Sequence, residues 1–78
     1  MNGQTIATIR KFYGLNQAQL AELLNVSQPY IAQVEGGSKA VTQSFIYKIT
    51  AALDLTPEKL QAIIAADTEY RRMQDAIK

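Results

Sequence analysis

The sequence predicts an all-α fold of five helices. Apolar residues recur at helical spacing along nearly the whole chain, and no stretch alternates apolar and polar residues between turn formers as a strand would. Helix-starting and helix-stopping residues punctuate the chain at short intervals. Ala, Gln and Leu, at 11, 8 and 7 of 78 residues, add to the helical preference.

The first helix carries Ile6, Ile9, Arg10 and Tyr13 on one face at i, i+3, i+4 and i+7. Gly14 supplies a left-handed stop. Asn16 and Gln19 have the spacing of a capping box, so the second helix runs from about Gln17 to Leu24, with Leu20, Ala21 and Leu24 inward. Asn25 tolerates the left-handed backbone of a tight turn, Val26 plugs it, and Ser27 caps the next helix. Pro29 falls in that helix's first turn, where its missing N–H costs little. The third helix spans about Gln28 to Glu35 and stops at Gly36-Gly37. Thr42 caps a fourth, about Gln43 to Leu53, with Phe45, Ile46, Ile49 and Leu53 inward. Thr56-Pro57-Glu58 opens a fifth that can run from Pro57 to about Ile77.

Seventy-eight residues make one domain. At 47% hydrophobic and 19% charged, the chain has the composition of a folded protein. It has no Cys and no His, which removes thiolate chemistry, disulfides, and the commonest general base and metal ligand. No acidic pair has a nucleophile or base beside it, so neither an enzyme nor a cofactor is expected. No apolar run approaches the roughly 20 residues that span a bilayer, and residues 1–4 do not read as an export signal. The expected setting is the cytoplasm of a bacterium or a phage-infected host, with no membrane partner. The formal charge of +1 neither requires nor excludes a polyanion.

The third helix carries the functional signal. On a wheel with Gln28 at zero, Ala32 falls near 40°, Pro29 near 100° and Gln33 near 140°, while Tyr30, Ile31 and Val34 fall at about 200–300°. One face is apolar. The other bears two amides, a proline and an alanine, without a charge. A glutamine amide donates and accepts in one plane and matches adenine N6 and N7 in the major groove. Ala32 permits close approach. Alone, these glutamines are also ordinary solvated helix residues; the short Asn25-Val26-Ser27 turn to the second helix is what makes a DNA-reading motif of them.

Leu15-Asn16-Gln17-Ala18-Gln19-Leu20-Ala21, Val26-Ser27-Gln28 and Ile31-Ala32-Gln33-Val34-Glu35-Gly36-Gly37 resemble the phage repressor and Cro-type (XRE-like) helix-turn-helix proteins. The resemblance covers roughly residues 5–60, with the motif at about 17–35, and implies a lambda-repressor-like domain with an extended C-terminal helix. It implies that Gln17 bonds a phosphate, that Ser27 meets backbone or a thymine methyl, that Gln28 and Gln33 read base edges or adjacent phosphate, and that Ser38 and Lys39 hold phosphate. Pro29 and Ala32 lie on the same DNA-facing side. Arg10 and Glu35 match a structural pair bridging the first and third helices; Arg10 lies on an apolar face, where a charge needs a partner. Asn25 stands where the family usually has Gly, and Pro29 replaces a commonly polar reading position. Residues 1–53 hold four cations (Arg10, Lys11, Lys39, Lys48) and two acids, so weak nonspecific DNA binding is expected.

Two features lie outside the motif. Phe12 and Leu23 are large apolar groups at outward positions of the first two helices. In the tail, Ile63, Ala66, Tyr70, Met73 and Ile77 step by 3, 4, 3 and 4, a heptad seam too short to stand alone. The seam either pairs with a second copy or folds back on Phe12 and Leu23; dimerisation is the favoured expectation, with Leu60 and Ile64 closing the core. Tyr13 and Tyr70 read as core or interface, Tyr30 and Tyr47 as flanking the DNA face. The functional expectation is a homodimeric, sequence-specific regulator that binds double-stranded operator DNA. The alternative is an interaction module that uses Phe12, Leu23 and the seam to bind a protein partner.

Overall fold

A computed structural model describes residues 1–77 and side chains as far as Ala76. The described residues form five helices and no strand: α1 (Gly3–Phe12), α2 (Gln17–Leu24), α3 (Gln28–Gly36), α4 (Gln43–Ala52) and α5 (Pro57–Ile77). Each begins on a polar side chain that accepts from the first turn. Asn2 Oδ1 takes Thr5 N–H at 2.9 Å, Ser27 Oγ takes Tyr30 N–H at 3.2 Å, and Thr42 and Thr56 act likewise. At Asn16 the capping box closes both ways, at 2.7 and 2.8 Å.

Three of the connections share one construction. A left-handed residue (Gly14, Asn25, Asp54) is followed by an apolar residue and then by a polar N-cap. The apolar residue's N–H reaches back five positions: Leu15 to Arg10 at 3.1 Å, Val26 to Ala21 at 3.0 Å and Leu55 to Thr50 at 2.9 Å. This satisfies an otherwise orphaned helix carbonyl and turns an apolar plug under the helix end. Leu55 is buried, and Leu15 and Val26 pack against the core. At Asp54 the sequence carries no glycine or asparagine to announce the left-handed residue.

The core is one cluster: Ile6 and Ile9 of α1, Leu20, Ala21 and Leu24 of α2, Ile31 and Val34 of α3, Phe45 and Ile49 of α4, Leu55, and Ile63 of α5. It encloses no unsatisfied polar side-chain atom among the described residues. Ile46 is only half-buried.

α5 lies antiparallel along α1. Phe12 and Tyr13 meet Lys59, Ala62 and Ile63 at one end. At the other, the end of the Gln4 side chain lies 2.7 Å from both Arg71 Nη atoms, close enough for its amide oxygen to accept from them. This register corrects two expectations. Ile63 is not a free seam residue: it is 2% exposed against α1. Ile64 does not close the core, because the covered stripe of α5 runs through Leu60 and Ile63 and turns Ile64 towards the polar cleft of Asn2, Thr5 and Arg71.

Candidate nucleic-acid interface

α2 and α3 meet across the small side chain of Ala21, which is buried, while Ile31 and Val34 anchor α3 from beneath. This fixes which side of α3 faces out. Gln28, Pro29 and Gln33 are exposed, as are Ser27 before the helix and Ser38 and Lys39 after it; Ala32 is half-buried between the two glutamines. The residues that the sequence marks as DNA-facing are thus exposed, or in Ala32 half-buried, on or beside α3, with Gln17 half-buried at the start of α2.

A polar chain runs under that surface. Arg10 Nε donates to Glu35 Oε2 at 2.8 Å and Nη2 to Oε1 at 3.0 Å, a two-pronged pair whose side chains are 12% and 7% exposed. The third arm, Nη1, donates to Leu15 O at 2.8 Å. The guanidinium thus ties α1, the α1–α2 turn and α3 together. Glu35 Oε1 also accepts from Gln17 Nε2 at 3.1 Å, and Gln17 Oε1 accepts from Gln28 Nε2 at 3.3 Å. The half-buried Glu35 carboxylate orients the Gln17 amide, which in turn orients that of Gln28. Gln28 keeps its oxygen and one N–H for a ligand; Gln17, half-buried, keeps one N–H. The Arg10–Glu35 pair is legible from the sequence. Its extension through Gln17 is not, because Gln17 and Gln28 become neighbours only once α2 and α3 are docked.

The loop after α3 folds onto the end of the reading helix. Gly37 is left-handed at φ 90°, and Gln33 O accepts from Lys39 N–H at 3.1 Å and Ser38 Oγ–H at 3.3 Å. The Ser38 hydroxyl proton is thereby directed inward, while the Lys39 ammonium makes no ion pair among the described residues. Tyr30 turns away from this surface: its ring packs on Phe45 at 5.9 Å between centroids. Tyr47 is exposed. Tyr13 donates its hydroxyl to Leu53 O at 3.4 Å.

Phe12 and Leu23 are exposed, in keeping with their outward positions, and so are Ala66, Tyr70 and Met73. Phe12 and Tyr70 line one cleft of about 310 Å³ between α1 and α5, floored by Ile63 and Ala66. Leu23 takes no part in it. The Ile77 side chain lies outside the described residues.

Two short helices packed on each other, a three-residue turn, and a second helix with exposed amide side chains on its outer face define a helix-turn-helix domain. A helix-turn-helix family model matches residues 6–60, and the chain belongs to that family, the XRE-type helix-turn-helix proteins of Cro/repressor kind. It is a family of DNA-binding regulators, generally without enzymatic activity. No curated protein and no solved structure matches the chain. Among the described residues no helix is long and apolar enough to cross a membrane.

Proposed function

We propose that the protein is a sequence-specific regulator that binds double-stranded operator DNA as a homodimer, in the manner of a repressor or Cro protein. The observation that carries this reading is the uncharged outer face of α3, whose first amide is pre-oriented through Gln17 by the half-buried Arg10–Glu35 pair. The free oxygen and remaining N–H of Gln28 suit the N6 and N7 edge of adenine, and Gln33 offers the same pair of groups about 1.4 turns on. Ser27, Lys39 and the last N–H of Gln17 would hold phosphates on either side, with backbone N–H groups at helix starts adding to the few cations.

The dimer follows from need as well as from surface. Lys11, Lys39 and Lys48 are the cations of residues 1–53 outside the Arg10–Glu35 pair, so a single copy gains little from counterion release. A second copy supplies a second reading helix and raises affinity through effective concentration. The cleft lined by Phe12, Ala66 and Tyr70, edged by Lys11, Asp67 and Arg71 and with exposed Met73 further along α5, is the surface on which the partner would sit.

The test uses a duplex selected by the wild-type protein. Gln28→Ala is expected to lower affinity for it by about 1–3 kcal/mol and to relax selectivity at one base pair of each half-site. Unchanged affinity and selectivity would remove Gln28, and with it this reading of the α3 face.

A further inference from the structure

Glycine in the first turn of α1 is a poor choice for helix formation, and Gly3 has no left-handed backbone to excuse it. Gly14 and Gly37 do, at φ 71° and 90°, and open space surrounds both, as it does Gly36. Gly3 differs in what lies beside it. A methyl group built on its Cα would overlap the Val34 carbonyl oxygen and stand 2.9 Å from the Glu35 oxygen and 3.1 Å from the Glu35 carbon. These are backbone atoms of the last turn of α3, which no rotamer change can move.

The N-terminal end of α1 therefore abuts the C-terminal end of α3, a favourable meeting of opposite helix-dipole ends. Seven residues along α1, Arg10 grips the Glu35 side chain of that same α3 turn. Contacts of α1 with the last turn of α3 include a close backbone approach at Gly3 and the Arg10–Glu35 ion pair. Gln33, whose carbonyl also holds Ser38 and Lys39, immediately precedes the contacted residues.

We propose that Gly3 is a positioning residue for DNA reading: the start of α1 is the backstop that sets how far the Gln33 end of α3 projects. The inference rests on the reading of α3 as the DNA-contacting helix. A side chain at position 3 pushes the last turn of α3 outward and carries Gln33, Ser38 and Lys39 with it. The Gln28 end, tied to Gln17, moves less.

The experiment compares Gly3→Ala with Asn2→Ala, which removes the α1 cap without intruding on α3. Both full-length variants are titrated with the duplex selected by the wild type and with a scrambled duplex, and backbone amide shifts are recorded. Gly3→Ala is expected to lose about tenfold on the selected duplex, as for one lost base contact, and to change little on the scrambled one. Its amide shifts should concentrate at Gln33 to Lys39. Asn2→Ala should melt earlier yet keep the wild-type ratio of the two affinities. A Gly3→Ala protein that keeps that ratio, or whose shifts are confined to α1, shows that α1 yields instead and overturns the inference. So does one that fails to fold, since α3 was then unable to give way. A wild type that selects no sequence defeats the DNA-reading proposal itself, a separate result.

Discussion

The two ends of α5 carry the same apolar spacing and meet opposite fates. At its start, Leu60 packs on the core and Ile63 is buried against α1. Further along the same stripe, Tyr70 is 61% exposed and Met73 58%. The difference lies in what is available to cover each end. α1 has 10 residues and α5 has 21, and α1 runs beside α5 only from about Lys59 to Arg71, so Met73 lies past its start while Tyr70 borders the open cleft beside Phe12. Periodicity announces that a face is apolar. It does not say which body will cover it, and within one helix the answer changes from this chain's own core to solvent or a second molecule.

Substitutions can break or sharpen that contrast. The largest effect belongs to the covered end: Ile63→Ala is expected to cost about 2–5 kcal/mol of stability by chemical denaturation, the range for a truncated core aliphatic. Met73→Ala, measured at high dilution, should stay within about 0.5 kcal/mol. Equal costs would mean that the far end of α5 is also held within the single chain. Met73→Asp combined with Tyr70→Asp should abolish self-association in sedimentation and weaken operator binding; a wild type that sediments as a monomer at tens of micromolar, about the weakest useful affinity for a dimer, would contradict the pairing.

Next comes the ion pair beneath the reading face. Glu35→Ala leaves the guanidinium of Arg10 largely enclosed with one partner, Leu15 O, and releases Gln17. A loss of about 1–3 kcal/mol is expected, and an unaltered melting curve would show the pair to be dispensable. The smallest effect is at Asp54, whose left-handed backbone at φ 49° costs more for an acid than for glycine. Relief of roughly 1 kcal/mol is partly offset by glycine's extra freedom when unfolded, so Asp54→Gly should gain a few tenths of a kcal/mol. A fall in melting temperature would show that the Lys59–Asp54 contact, 3.7 Å long and exposed, matters more than the backbone.

Much of this architecture was legible beforehand because its determinants are local. Caps, left-handed stops and i, i+3, i+4 patterns act within a few residues, and α1 to α4 end within a residue or so of where those signals put them. Arg10–Glu35 was legible too, since a charge on an apolar face demands a partner and the family resemblance supplies one. What escaped depends on how finished helices dock. The choice of Ile63 over Ile64 follows from the register of α5 on α1. Gln17 is oriented by Glu35 and holds Gln28 only after α2 and α3 have met. The reason for glycine at position 3 lies thirty-odd residues away, in the carbonyls that end α3. The left-handed Asp54 is different: its turn repeats the construction of Gly14 and Asn25, and the apolar-then-Thr sequence after it was the available clue.

The central question is whether the outer face of α3 distinguishes one duplex from another. Selection of bound sites by the wild-type chain from a random duplex library measures that directly. The account predicts a two-fold symmetric consensus, its half-sites about 34 Å apart along the duplex, one turn of the double helix, with adenine enriched where Gln28 would sit. Recovery of unenriched sequence after repeated rounds would contradict it and shift the weight to the exposed Phe12, Tyr70 and Met73 surface as the one through which the protein acts.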